Sequence, residues 1–511
     1  MNAKNSHCMS KRVFLALAMM LFATAASAQQ RPYERETDRN VWLSGGNIAG
    51  LRERITENIS YAEMYGRLED GGYRHSYEAP SLWNAGVEAR TIMHLDKFSM
   101  IGGFSFDQMT GQNMCGSMFI DPGYYPLDAL EFTPGQKTKQ TYAFDGGISV
   151  DLGRGWKFGA GLDFESSNYS KRKDLRYTDY RLDMKFTSGL VWTAGDNAFG
   201  LDYIYRKNSE CPDSEQIGTG ESSYYAFLDK GQHYGKYEVW TGGGVHLDQN
   251  GVKGLPLKEH YNGAGLQWAF RNMYFLDFEY LHGSGSAGER QFIWYRFPSH
   301  VFNLRLVERI EYADKTFLFK EGISGKYQKN SETVIEVISS NGVMTTTEYG
   351  SNQILERKFY SVNASWDVLR DGFDYGVFVD MDECESLASQ VYPYLTNQRI
   401  NVNMLGAYVT FRPGKFELGP EFRFTSGNVT ESERLSSENI VPSRPYRLEE
   451  YYQLEMDYLT SRRVNISAFL RYNIAKGIYV QADADFIKAY GLEYIDGDTR
   501  CSGVLRLGWT F

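Results

Sequence analysis

The last eleven residues, Cys501-Ser502-Gly503-Val504-Leu505-Arg506-Leu507-Gly508-Trp509-Thr510-Phe511, narrow what this chain can fold into. Counting back in twos from the end gives Phe511, Trp509, Leu507 and Leu505, with Thr510, Gly508, Arg506 and Val504 between them. Successive strand side chains point to opposite faces, so one face here is wholly apolar and aromatic and the other mostly small or polar. Two settings suit such a strand. A soluble sandwich puts one face in a core and one in water, whereas a membrane barrel puts one face in lipid and one in a wet lumen.

The final aromatic residue favours the second setting, because it resembles the closing-strand signal of bacterial outer-membrane barrels. In those proteins the last strand pairs with the first and removes the final sheet edge. Composition agrees. Gly 51, Tyr 37 and Phe 31 against Pro 13 favour strands, turns and an interfacial aromatic belt. Mean hydropathy is −0.46, too polar for a bundle of spanning helices, yet a barrel hides its membrane character because half its strand residues face water.

Compartment is read from the N-terminus. Lys11-Arg12 precede an apolar run from Val13 to Ala23, then Ala26-Ser27-Ala28, which predicts a secretory leader over 1–28 with cleavage after Ala28. The run is too short to span a bilayer. Cys8 precedes it, where an acylated lipoprotein cysteine cannot lie. Net charge is −10, and about −13 once the leader's cations go, which argues against nucleic-acid binding.

From residue 58 one unit recurs: alternating strand, tight turn, alternating strand, long polar connection. Trp156, Phe158, Ala160, Leu162 and Phe164 alternate with Lys157, Gly159, Gly161, Asp163 and Glu165. Short turns rich in Gly, Asn and Asp fall at 94–97, 152–155, 194–197, 271–272, 312–315, 369–372, 412–415 and 473–477. Between them run long connections such as 108–140, 207–259 and 427–462. Short turns on one side and long loops on the other mark an outer-membrane barrel, the short side periplasmic. A sandwich mixes both kinds at both ends. The expected fold is therefore all-β, a transmembrane antiparallel up-and-down barrel of about 18 strands, within the range 16–18.

The first strand is expected at 59–66 and the last at 503–511. Gly235 to Gly243 and Glu450 to Thr460 read as further strands above the membrane. Asn341-Gly342, flanked by two alternating runs, predicts a projecting two-stranded ribbon. The polar stretch 29–57, with a short helix expected from Ile48 to Ile59, is either a periplasmic lead-in or a hatch, and 58–511 is the barrel.

Candidate chemistry is sparse. Cys115, Cys211, Cys384 and Cys501 fall in or beside the long loops of an exported chain, where one or two disulfides would staple loops. Their wide spacing excludes a compact metal motif. Inward positions carry Lys157, Asp163, Glu165, Asp183, Lys185, Asp202, Arg206, Asp277, Glu279, Arg305, Arg309, Glu417, Glu421, Arg423, Arg471, Asp483, Asp485 and Arg506. Rings of one sign would select ions, whereas interleaved signs such as these pair across the lumen and rigidify it. No histidine stands beside a convincing nucleophile: His282 precedes Gly283-Ser284-Gly285-Ser286, a flexible loop start and not a nucleophile elbow. No catalytic, cofactor or metal residue is expected, and an enzyme is the least favoured reading. Asp121-Pro122-Gly123-Tyr124-Tyr125-Pro126-Leu127 is a rigid aromatic loop suited either to a sugar, lipid or protein partner or to folding over the barrel mouth.

Two resemblances follow from quoted residues. Gly45-Gly46-Asn47-Ile48-Ala49-Gly50-Leu51 resembles the Asn-Pro-Ala-Gly-Leu stretch of fatty-acid-transporter-like barrels, where a hatch sits, with Ile48 in place of proline. The whole mature chain resembles large outer-membrane barrels of Bacteroidota, within a family of unknown function. The features that carry this are Gly46 to Leu51, Tyr65-Gly66 before Asp70-Gly71-Gly72-Tyr73, and Phe511. The expected roles are a channel for small solutes across the outer membrane, or else a non-conducting accessory barrel in a multi-protein assembly or uptake complex. The lack of a full-length plug argues against a TonB-dependent transporter. Expected partners are outer-membrane lipid and lipopolysaccharide, the barrel assembly machinery, and other outer-membrane proteins. Leu505, Leu507, Trp509 and Phe511 serve as the assembly signal.

Overall fold

The structure, a computed structural model, describes residues 32–173, 175–215, 224–240, 254–289, 292–340, 343–391, 394–432 and 448–511. The expected leader lies outside these residues, as does Asn341-Gly342. The chain forms β1 (Ile59–Gly71), β2 (Ser81–His94), β3 (Phe98–Ser117), β4 (Asp128–Gly153), β5 (Trp156–Lys171), β6 (Arg176–Ala194) and β7 (Asn197–Glu215). It continues with β8 (Tyr224–Asp229), β9 (Gly235–Trp240), β10 (Leu257–Phe270), β11 (Tyr274–Glu289), β12 (Phe292–Tyr312), β13 (Lys315–Ser340) and β14 (Val343–Arg370). The last are β15 (Phe373–Val391), β16 (Tyr394–Phe411), β17 (Phe416–Glu431), β18 (Arg462–Ala475), β19 (Ile478–Tyr490) and β20 (Thr499–Thr510).

All twenty belong to one antiparallel sheet. β7 pairs with β10, which leaves β8 and β9 as a hairpin off the wall, and the other eighteen strands close into a barrel. Closure is direct, from Tyr61↔Thr510 to Gly71↔Arg500. Ser60 and Phe511 exchange both backbone hydrogen bonds at 2.8 Å. Each backbone group left open in lipid would cost several kcal/mol, so the seam must pair along its length.

All eight expected tight turns join neighbouring strands at one end. Between the paired Gly153 and Trp156 only Arg154 and Gly155 intervene, both at positive φ, 57° and 81°, the mirror-image turn whose twist matches the strands it joins. At the other end the expected long loops are shorter than the sequence implies, because β3, β4, β7 and β17 run on well past the membrane. Above lipid both faces can be polar, so the apolar alternation that reveals a strand is lost. β13 and β14 form the expected ribbon, paired out to Ser340↔Val343. Gly235–Trp240 is a strand, but Glu450 to Thr460 lies in a helix, α2 (Leu448–Thr460). Leu448, Tyr451 and Tyr452 are its buried stripe at helical spacing, which overrides the strand-like alternation.

Outward side chains form an apolar band: Leu505, Leu507, Trp509 and Phe511 are all exposed, Leu505 by 62% and Trp509 by 52%. Aromatic pairs ring the barrel beside the short turns, among them Trp156–Trp192 at 6.0 Å, Phe373–Phe411 at 4.9 Å, Phe416–Tyr472 at 5.0 Å and Trp509–Phe511 at 4.6 Å. An apolar band ending in an aromatic girdle is the surface of an outer-membrane barrel. Above it, Lys137 and Lys171 share the buried Glu131, and Lys137 lies over the rings of Tyr169 and Tyr177 at 5.4 and 5.3 Å.

Replacing Leu505 by Arg puts a cation on the lipid face and should cost about 2–4 kcal/mol of stability. Leu505→Ile should cost little. Unfolding titrations of the protein in lipid vesicles measure both, and equal stability of the two variants would contradict the outward assignment.

Candidate functional site

The lumen is closed from below by the N-terminal segment. α1 (Pro32–Thr37) and two single-turn 3-10 helices, Val41–Ser44 and Ile48–Arg52, pack against the inner wall on the short-turn side. The expected helix from Ile48 to Ile59 is thus one turn, and β1 starts at Ile59. Asn40 and Asn47 cap the two turns, each accepting a backbone N–H two residues on, which stops the chain extending. Val41, Trp42 and Ala49 bury against Val191, Ala198, Ala269, Phe275, Val307 and Leu318. The wall is built to receive them: a Cβ on Gly159 would stand 2.2 Å from the Ala49 nitrogen, and one on Gly147 2.8 Å from Ile48. The described part of 29–57 packs inside the barrel against its inner wall.

Many expected lumen charges hold this segment. Asn47 donates to Gln267 at 2.9 Å, and Gln267 donates to Asp202 and Asp277 at 2.8 and 2.9 Å. Arg305 completes the chain, 3.0 Å from Asp277 and 3.7 Å from Glu279. Lys157 meets Glu53 of the segment, and Lys320 meets Asp38 at 2.6 Å. Elsewhere charges join the wall to itself. Arg506 bridges Glu63 on β1 at 2.9 Å and Asp483 on β19 at 2.6 Å, bolting the seam. Arg206 and Arg181 share Asp183, Arg423 pairs with Glu421, Arg471 with Glu417, and Arg309 with Glu311. Asp163 and Glu165 lie in register with Lys185 and Asp183, and Asp485 with Ser467.

The upper closure is built from surface pieces. The β3–β4 loop dips inward, so Asp121 to Leu127 takes the second of its two expected arrangements. Phe119, Tyr125 and Leu127 enter an apolar cluster with Leu257, Tyr295 and Phe297. The tip is gripped by cations: Lys326, Arg181 and Arg206 lie 4.5, 5.0 and 5.6 Å from the Tyr124 ring centre. Lys326 donates to the Tyr124 carbonyl at 3.2 Å, and Arg357 to the Tyr124 and Tyr125 carbonyls at 3.3 and 3.2 Å. Lys326 and Arg357 escaped the sequence reading, although inward parity carried along β13 and β14 points to both. A cavity of about 220 Å³ lies beside the tip, between loop 72–80, the β8–β9 turn, α2 and the walls of β14 to β16.

The hairpin β8–β9 docks on β4 through Asp128↔Asp229 to Glu131↔Ala226. Two carboxyls thus face each other above the membrane. Burial, with Asp229 adding to it, pushes Asp128 up to about 8 against the donation from Ser117, and Asp229 is raised too despite His233 beside it.

Cys115, Cys211, Cys384 and Cys501 stand on β3, β7, β15 and β20. Cys115 is buried, with Tyr451 donating to its sulfur, whereas Cys501 is exposed.

Over residues 48–511 the chain matches the family described as "Family of unknown function (DUF6850)". The chain belongs to that family. No curated protein matches it. Solved structures with a similar strand layout include the siderophore receptor PiuA from Acinetobacter baumannii, at 7% identity and TM-score 0.40, over 88% of this chain and 82% of that one. The FrpB iron transporter from Neisseria meningitidis (F3-3 variant) gives 7% and 0.44 over 91% and 83%. The ferric preacinetobactin receptor BauA from Acinetobacter baumannii gives 8% and 0.41 over 89% and 80%.

Gly159→Val should leave the barrel folded, by heat-modifiable migration, but make residues 32–57 cleavable by added protease. A protected segment in a folded variant would contradict the close approach. The raised carboxyls give a pH dependence whose sign is set. A carboxyl with a higher pKa in the docked state stabilises docking fully at acid pH, and the contribution is lost as pH rises through about 8. Proteolysis of the β8–β9 hairpin should therefore increase from about pH 4 to about 8 and level off above that, and Asp128→Asn should flatten the rise.

Proposed function

We propose that this protein is a gated transport barrel for small polar solutes of the outer membrane. The observation that carries the reading is the way the lumen is closed. A barrel meant only as a scaffold can fill its interior with side chains from its own wall. Here the interior wall is polar, and the closure comes from separable pieces: an N-terminal segment below, and a loop, a hairpin and a helix above. The upper closure is also imperfect. The Tyr124 hydroxyl, one oxygen of Glu259 and the Asn330 side-chain oxygen are buried without hydrogen-bond partners. Each such group costs about 1–3 kcal/mol, which favours a closure that can be released.

A second reading, an accessory barrel with a membrane partner, draws on one feature. Glu321 is exposed on the outer face, in register with Leu306 and Ala364, where lipid contact is unfavourable for a carboxylate.

Planar-bilayer recordings separate the two. The intact protein should conduct rarely, and removal of residues 32–57 together with shortening of the 119–127 loop should give large, steady channels. Electrical silence of that double variant, folded and heat-modifiable, would overturn the transport reading.

A further inference from the structure

We infer that the seat of the Tyr124–Tyr125 tip is a binding site for an anionic ring compound, one carrying a carboxylate or phosphate group. The inference deepens the transport reading by naming its solute class. The seat has four cations, Arg181, Arg206, Lys326 and Arg357, from β6, β7, β13 and β14. Asp183 takes both Arg181 and Arg206, at 3.3 Å in one case. Neither Lys326 nor Arg357 has a carboxylate within ion-pair distance among the described residues. Their donors are spent on backbone carbonyls of the loop and, for Arg357, on Gln328 at 3.0 Å.

A desolvated cation is stable only if something electron-rich meets it. The loop meets that need by offering one aromatic ring to three cations and two carbonyl oxygens to the two unpaired ones. Neutral carbonyls are the weaker partners, because a charged acceptor makes a bond roughly twice as strong. The tip also leaves the Tyr124 hydroxyl buried without a partner, and Asp121, which sits 3.7 Å from Arg181, departs with the loop. Once the loop lifts, Lys326 and Arg357 are left with no carboxylate in ion-pair distance among the described residues, while Asp183 stays on the two arginines and Glu210, Glu165 and Glu259 are the other acidic groups near the seat. A ring with an anionic substituent reproduces both halves of what the tip supplies: a face for the cations, and oxygen acceptors for Lys326 and Arg357. A neutral sugar supplies only the weaker acceptors, and a cation is repelled.

The test is equilibrium binding to detergent-solubilised protein with residues 122–126 replaced by a short Gly-Ser linker, and to the gentler Tyr124→Ala variant, each checked for heat-modifiable folding. The probes are galacturonate, galactose 1-phosphate and galactose. At least one acidic sugar should bind about ten-fold or more tightly than galactose, and which one does so separates carboxylate from phosphate recognition. Lys326→Gln with Arg357→Gln in the same background should remove that preference. Equal binding of charged and neutral sugars, no binding of any, or a preference indifferent to the double substitution would overturn the inference. Because binding is read without conductance, a silent channel would sink the transport reading and leave this result standing on its own.

Discussion

Closure of β20 on β1 is the constraint on which the rest of the molecule depends. In lipid an unpaired strand edge has no water to turn to, so eighteen strands are stable there only as a ring. The register from Tyr61↔Thr510 to Gly71↔Arg500 closes it, and Ser60 and Phe511 finish the ladder at the chain's last residue. The seam is reinforced from inside. Arg506 reaches Glu63 and Asp483, one on each neighbouring strand, so the strand that completes the barrel also carries the charge that ties it laterally.

A ring of this size has an interior to fill, and the filling explains where the polar residues sit. Charges on the inner wall pair with each other or with the N-terminal segment, which threads its apolar residues into a patch of small and aliphatic wall positions. Glycines on the wall, Gly159 above all, are spaces for that segment. At the opposite mouth the wall supplies cations and the β3–β4 loop supplies ring and carbonyls. The two closures differ in kind. The lower one rests on apolar packing and capped turns and the upper one on cations meeting a ring and carbonyls, and each leaves buried oxygens without a hydrogen-bond partner, on Asp202 and Glu279 below and on Tyr124, Glu259 and Asn330 above.

How much of this was legible depends on whether the signal was local. Alternation at Trp156 to Phe164 or Val464 to Tyr472 is a property of consecutive residues, so strands and inward charges could be read, and the tight turns with them. Above the membrane the signal failed. β3 and β4 continue through polar residues that alternate no apolar face, and Glu450 to Thr460 alternates like a strand while burying a helical stripe. Lys326 and Arg357 were overlooked for the same reason, since they lie beyond the stretch where parity is obvious.

The sequence by itself determined the closed antiparallel barrel, its even strand count, its lipid face and the side with short turns, because each follows from periodicity two and from the ban on open edges in lipid. Only the tertiary structure decided that the N-terminal stretch packs inside the barrel and that Asp121 to Leu127 folds inward. It alone brings four cations from β6, β7, β13 and β14 around one tyrosine. Those contacts join residues up to 233 positions apart in the chain. Their geometry is set by the curvature of the ring, which no local pattern of residues encodes.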